Sequence, residues 1–144
     1  MTVVNQLSPR HRRLLAWLAV FLWAGLIFAV SAQPQARFQE LGLSGTLLSF
    51  SGHLFSYAVL MTLLAVAIRV ERPQGTVSIL LAAFLLTALY GLTDEFHQSF
   101  VPGRRATWDD WLVDLLGAFL VGVVLWTRWA RQRSDEADYQ EVKG

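Results

Sequence analysis

Four apolar stretches dominate this chain, and each extends to the approximately 20 residues that a helix needs to cross about 30 Å of hydrocarbon. The first is uninterrupted, "LLAWLAVFLWAGLIFAVSA", Leu14 to Ala32. The second reaches full length only if it begins near Ser49, which puts His53 just inside the membrane edge. The third runs from Thr76 to about Glu95 and the fourth from about Trp108 to Trp129. Continuous apolarity, rather than a 3.6-residue alternation, is what lipid-facing helices show. Between the second and third stretches, "RVERPQGT" is short and turn-like, as an antiparallel helix hairpin requires. The expected fold is therefore all-α, one membrane domain over residues 1–144. Its four transmembrane helices fall at about 14–32, 49–68, 76–95 and 108–129, with a tail over 130–144. The run after "RHRR" also mimics a signal peptide, but it is longer than the usual h-region and the rest of the chain is equally apolar.

Composition agrees: 54% of the 144 residues are hydrophobic and 16% charged, against about 25% charged in a soluble domain. A net charge of +1 without a long basic run argues against a nucleic-acid partner. With no cysteine, disulfides, iron–sulfur clusters and thiol catalysis are excluded. Basic residues favour the cytoplasmic side of short loops. With both termini inside, that side holds nine: Arg10, Arg12, Arg13, Arg69, Arg72, Arg128, Arg131, Arg133 and Lys143. The outer loops hold three, Arg37, Arg104 and Arg105. A multi-pass protein of a bacterial-type plasma membrane with cytoplasmic termini follows as the expectation. Trp108 and Trp111, and Trp126 and Trp129 at the other end of the fourth helix, fit the aromatic belts of two interfaces. Trp17, Phe21, Trp23 and Phe28 read as lipid-facing packing.

Against this background, "GLTDEFHQSFVPGRRATWDDWLVDLLG", residues 91–117, concentrates the ionisable groups. His53, Asp94, Glu95, Asp110 and Asp114 fall in one layer near the outer ends of three helices. Asp110, Asp114 and Gly117 share a helix face, as do Tyr90, Asp94 and Gln98 if the third helix continues that far. A carboxylate at the bilayer centre costs about 2.5 to 3.5 kcal/mol on insertion scales, so these groups must face the interface, water or one another. Asp94 and Glu95 can cap the loop or pair with Arg104; equally, they can join His53 in acid/base work.

The same residues resemble the VanZ-like membrane proteins. The likeness rests on Ser31 in "FAVSAQP", His53 and Tyr57 in "HLFSY", and a D-E-x-x-Q-x-x-x-P-G-R motif followed by D-x-x-x-N-x-x-G. These map onto Asp94, Glu95, Gln98, Pro102, Gly103, Arg104, Asp110, Asp114 at the Asn position, and Gly117. Ser51 and Gly52 stand where many members carry Asp-Lys, Asp114 replaces the common Asn, and Gly122 comes one residue later than usual. The family takes its name from a protein tied to teicoplanin resistance. Teicoplanin-type glycopeptides carry an acyl chain and act on lipid-linked cell-wall precursors at the outer leaflet, where charge alone places the polar layer.

Two readings stand together. In one, an outward-facing pocket of the cell envelope acts on or binds an outer-leaflet lipid, a lipid-linked precursor or an amphiphilic antibiotic. His53, Glu95, Asp94 and Asp114 are then the catalytic candidates, and Arg104, Tyr57, Gln98 and Asp110 bind substrate. In the other, the protein is a non-catalytic accessory or partner-docking component. Ser49, Ser51, Ser56 and Ser99 are available to a hydrolase, but no nucleophile elbow surrounds them. His53, Glu95, Asp110 and Asp114 are plausible metal donors without an H-E-x-x-H-type spacing, so neither a metal nor another cofactor is expected. Proton-linked transport needs carboxylates across the whole membrane, and the inner half of every helix lacks them. His97, Pro102 and Gly103 read as interfacial and turn residues, and Gly117 as a helix-packing residue.

Overall fold

The structure, a computed structural model, describes residues 8–43, 45–72 and 75–143. These residues form helices α1 (Pro9–Ser31), α2 (Gln35–Glu40), α3 (Thr46–Glu71), α4 (Thr76–Gln98) and α5 (Trp108–Lys143), with no strand among them. Four of them, α1, α3, α4 and α5, are long and apolar enough to cross a membrane, as the apolar runs predict. Pro73 and Gln74 of the predicted turn lie outside the described residues, as do 1–7, 44 and 144.

Three features depart from the sequence expectation. A short helix, α2, stands in the first loop: "QARFQE" contains no breaker, Pro34 precedes it and Gly42 at φ 70° ends it. The third apolar stretch stays helical through Gln98, which brings Gln98 one turn beyond Asp94 on the same face. The fourth does not stop at Trp129 but continues to Lys143, because "ARQRSDEADYQEVK" offers good helix formers and neither Gly nor Pro. At about 1.5 Å per residue this helix is about 54 Å long, so its polar last third must project beyond the hydrocarbon.

Helix α3 is the centre of the bundle and packs against α1, α4 and α5. Its Tyr57, Leu60, Met61, Leu64, Ala65 and Ala67 are buried against Val20 and Ile27 of α1, Ile79 and Ala83 of α4 and Ala118 of α5. Lipid tails are as apolar as leucine, so association in a bilayer rests on close packing and interhelical hydrogen bonds, which small residues permit. Gly117 is the tightest point: a Cβ there would strike the Leu54 carbonyl oxygen and stand 3.1 Å from its carbon. Phe21, Leu22, Leu85 and Phe119 point outward, as lipid-facing side chains do.

Not every tryptophan or aromatic follows the lipid-facing reading. Trp23 Nε1 donates to the Ser56 carbonyl (2.9 Å) and Trp111 Nε1 to the Ala88 carbonyl (3.0 Å), each clamping one helix to another. Trp17 packs on the core, and Trp129 is buried beneath the Arg69 guanidinium, 4.1 Å from the ring centroid. Tyr90 adds a third clamp, its hydroxyl donating to the Ala24 carbonyl at 2.6 Å. Trp108 and Trp126 remain exposed, as belt residues would be.

Candidate functional site

Asp94, Glu95, Gln98, Arg104 and Asp114 of residues 91–117 gather at the end of the bundle where α1 ends, α3 begins and the α4–α5 loop turns. Successive residues of a helix point about 100° apart, so the adjacent Asp94 and Glu95 of α4 face different neighbours. Asp94 faces α1: its Oδ2 accepts from Ser31 Oγ and from Gln98 Nε2, both at 2.9 Å. Ser31 Oγ also lies 2.9 Å from the Ile27 carbonyl, and its single proton can serve only one of the two acceptors at a time. Glu95 faces the start of α5, where its Oε2 accepts from the Thr107 amide at 2.9 Å and thereby caps the loop. Thr107 in turn caps α5, its Oγ1 accepting from the Asp110 amide at 3.2 Å.

From α3, His53 Nδ1 lies 3.0 Å from Asp114 Oδ1 of α5. The carboxylate fixes the ring, and Nε2 has no hydrogen-bond partner among the described residues. His53, Glu95 and Asp114 come from three helices, and one donor atom of each lies within 4.8 Å of the others. Asp114 and Tyr57 are 1% exposed, Gln98 2%, Asp94 4% and Glu95 5%. Such burial normally demands a partner for every polar atom, yet Tyr57 Oη, Asp94 Oδ1, Glu95 Oε1 and Asp114 Oδ2 have none among the described residues. Gly91 makes the crossing possible: a Cβ there would come within 3.2 Å of Asp114 Oδ2, Trp111 Cδ1 and Tyr57 Cε1.

Beside this cluster lies a cavity of about 350 Å³ between α1, α2 and α3. Its walls are apolar, including Trp23, Leu26, Ile27, Val30, Phe38, Leu43 and Leu48. Ser31, His53, Tyr57, Asp94 and Arg104 line its polar part, so His53 touches both the cavity and Asp114. Arg104 pairs with neither Asp94 nor Glu95; its guanidinium lies over the Phe38 ring at 4.8 Å, with Nε buried and unpartnered among the described residues. The Gln35 amide donates to the Pro102 carbonyl at 3.3 Å, tying α2 to the loop that carries Arg104.

Of the residues singled out in the sequence, His53, Glu95 and Asp114 come together, and Asp94, Gln98, Tyr57 and Arg104 gather around the cavity side. Asp110 is the outlier: it is half-buried at the start of α5, and its carboxylate makes no hydrogen bond among the described residues. Ser49 and Ser56 line the cavity, but no serine hydrogen-bonds to His53 among the described residues, so the triad arrangement of a serine hydrolase is not formed. His97 stacks on Phe28, ring centroids 4.4 Å apart, and is not part of the His53, Glu95 and Asp114 group. Sequence reasoning missed Gly91, Trp23, Thr107 and Trp111. Only Gly91 left a signal, since small residues in apolar helices permit close approach, but the signal is not specific: Gly25 and Gly52 meet nothing within 4 Å.

The model of the VanZ/LLP1 family matches residues 14–130. The chain belongs to the VanZ/LLP1 family. No curated protein and no solved structure matches it. The matched range reaches into all four spans and contains His53, Glu95 and Asp114. With four helices fit to span a bilayer, this VanZ/LLP1 protein is a multi-pass membrane protein.

Proposed function

We propose that this VanZ/LLP1 protein takes the head group of a membrane amphiphile into the cavity and acts on it with His53. The observation that carries the reading is the cavity itself, in which apolar walls fit for an acyl or prenyl chain lead to Ser31, His53, Tyr57, Asp94 and Arg104. Arg104 has no carboxylate partner among the described residues and is the group for a phosphate or carboxylate of the ligand, in bidentate hydrogen bonding. His53, held by Asp114, leaves Nε2 to take or give a proton at the head group. Asp94, fixed by Ser31 and Gln98, and Tyr57 supply hydrogen bonds that orient it.

The excess of basic residues at the opposite end supports an outward-facing site in a bacterial-type plasma membrane. The ligands of this description nearest to the family's tie with teicoplanin resistance are a lipid-linked cell-wall precursor and an acyl-bearing glycopeptide. The test is lipid and precursor profiling of a strain with the protein, without it, and with His53→Ala. A head-group or precursor change that needs both the protein and His53 is the expected result. An unchanged profile, with the amphiphile still bound by purified protein in nanodiscs, would replace catalysis with binding; no binding either would end the reading.

A further inference from the structure

The carboxylates at this site lack positive charge to match them. Asp94, Glu95 and Asp114 are all at least nine-tenths buried, and among the described residues no Lys or Arg reaches any of them within salt-bridge distance. Only His53 touches one. Buried carboxylates so arranged need a cation or protons, because uncompensated charge in low dielectric is strongly disfavoured. The unpartnered atoms are the second observation: Glu95 Oε1 and Asp114 Oδ2 are buried with no hydrogen bond among the described residues. Gly91 leaves open the space beside Asp114 Oδ2 that a Cβ would crowd at 3.2 Å.

We infer that His53, Glu95 and Asp114 form a divalent metal site. Their donor atoms lie within 4.8 Å of one another. Opposite ligands of an ion with bonds of about 2.1–2.4 Å stand about 4.2–4.8 Å apart, and adjacent ones about 3.0–3.4 Å. The 3.0 Å between His53 Nδ1 and Asp114 Oδ1 matches an adjacent pair. One imidazole with two carboxylates suits a first-row ion such as Mn²⁺ or Zn²⁺ better than Mg²⁺ or Ca²⁺, which favour oxygen alone. The helical spacing hides this set, because its members come from α3, α4 and α5 and no two share a short motif. Thr107, by holding Glu95 Oε2, orients one ligand from outside, as supporting hydrogen bonds do at metal sites. With the ion bound, His53 serves as its ligand and places a Lewis acid at the edge of the cavity; its free acid/base role belongs to the metal-free protein. The inference deepens the proposed function at the same site, and its geometry stands without the amphiphile.

The test is Mn²⁺ titration of the chelator-treated full-length protein in nanodiscs. Loss of the free-ion paramagnetic resonance signal and the melting temperature are followed together, with Zn²⁺ as competitor. The expected result is one Mn²⁺ per chain, displaced by Zn²⁺, with a raised melting temperature. Glu95→Gln and Asp114→Asn each weaken uptake at least about 10-fold, while the exposed carboxylate variant Asp109→Asn leaves it unchanged. Should Asp114→Asn fail to fold, Glu95→Gln decides alone, since Gln retains an acceptor for the Thr107 amide. Folded protein that takes up neither ion, or uptake that survives Glu95→Gln, overturns the site. Amphiphile binding without metal uptake would sink this inference and leave the proposed function standing, and metal uptake without amphiphile binding would do the reverse.

Discussion

Replacing Gly117 with alanine tests whether a single helix contact sets the geometry of the site. The added Cβ would overlap the Leu54 carbonyl oxygen and stand 3.1 Å from its carbon and 3.3 Å from its Cα, all backbone atoms of α3. Backbone cannot rotate aside as a flexible side chain can, so α3 and α5 must separate by on the order of 1 Å, the scale of overpacking that costs about 1–3 kcal/mol. Leu54 follows His53, and Gly117 lies one turn from Asp114, so the same separation lengthens the 3.0 Å His53–Asp114 contact beyond hydrogen-bond range. Gly122, five residues along the same helix, is the control: there a Cβ would meet only Met61 Cε, at an ordinary 3.5 Å. In nanodisc melting, Gly117→Ala should fall well below the parent while Gly122→Ala stays level or rises. The amphiphile-dependent activity of Gly117→Ala should drop by about 10²-fold, as a misplacement near 1 Å typically does. A Gly117→Ala protein as stable and active as the parent would refute the idea that this crossing positions the pair.

Glu95→Gln keeps an acceptor for the Thr107 amide, so stability should change by about 1 kcal/mol or less while activity falls by about 10²-fold or more; membrane abundance and melting, read beside the phenotype, check both. Arg104→Gln should leave the protein equally abundant, since its guanidinium holds no ion pair among the described residues, yet weaken binding of an anionic amphiphile and reduce its salt dependence in vesicle titrations. Because the chain has no cysteine, Ser99→Cys and Ser134→Cys give a clean test of orientation in intact cells. An impermeant thiol reagent should label the first and spare the second, and the opposite pattern would invert the bundle.

The four spans were legible because crossing hydrocarbon imposes a length and a polarity on every residue of the run, and Leu14 to Ala32 satisfies both without help from any neighbour. Helix ends were less legible. The sequence places the end of the fourth span where the apolar residues stop, at Trp129, but polarity ends a span and not a helix, and nothing in residues 130–143 breaks the hydrogen-bond ladder. Trp23 and Trp111 were misread for a related reason. An indole nitrogen finds a carbonyl either at a lipid interface or on a neighbouring helix, and only the packing of α1 on α3 and of α5 on α4 decides which.

The polar cluster shows where linear reading stops. Asp94 and Glu95 look like one acidic spot in the sequence, and the depth of His53, Asp110 and Asp114 suggests a single layer. Depth along a helix is fixed by rise per residue, which is why His53, Glu95 and Asp114 can meet at one end of the bundle; azimuth depends on which neighbour each face meets. The helical turn sends Asp94 to Ser31 and the cavity, and Glu95 to Thr107, with a donor atom within 4.8 Å of His53 and Asp114. Asp110 and Asp114 share a face by the i, i+4 rule, yet only Asp114 is deep enough in the bundle for α3 and α4 to close over it, with Gly91 allowing the approach. His53 is then the one side chain that belongs to both halves, bonded to Asp114 on one side and lining the cavity on the other. A ligand in the cavity and a charge change at Glu95 or Asp114 must therefore be felt through the same imidazole. That shared residue joins the two acidic halves.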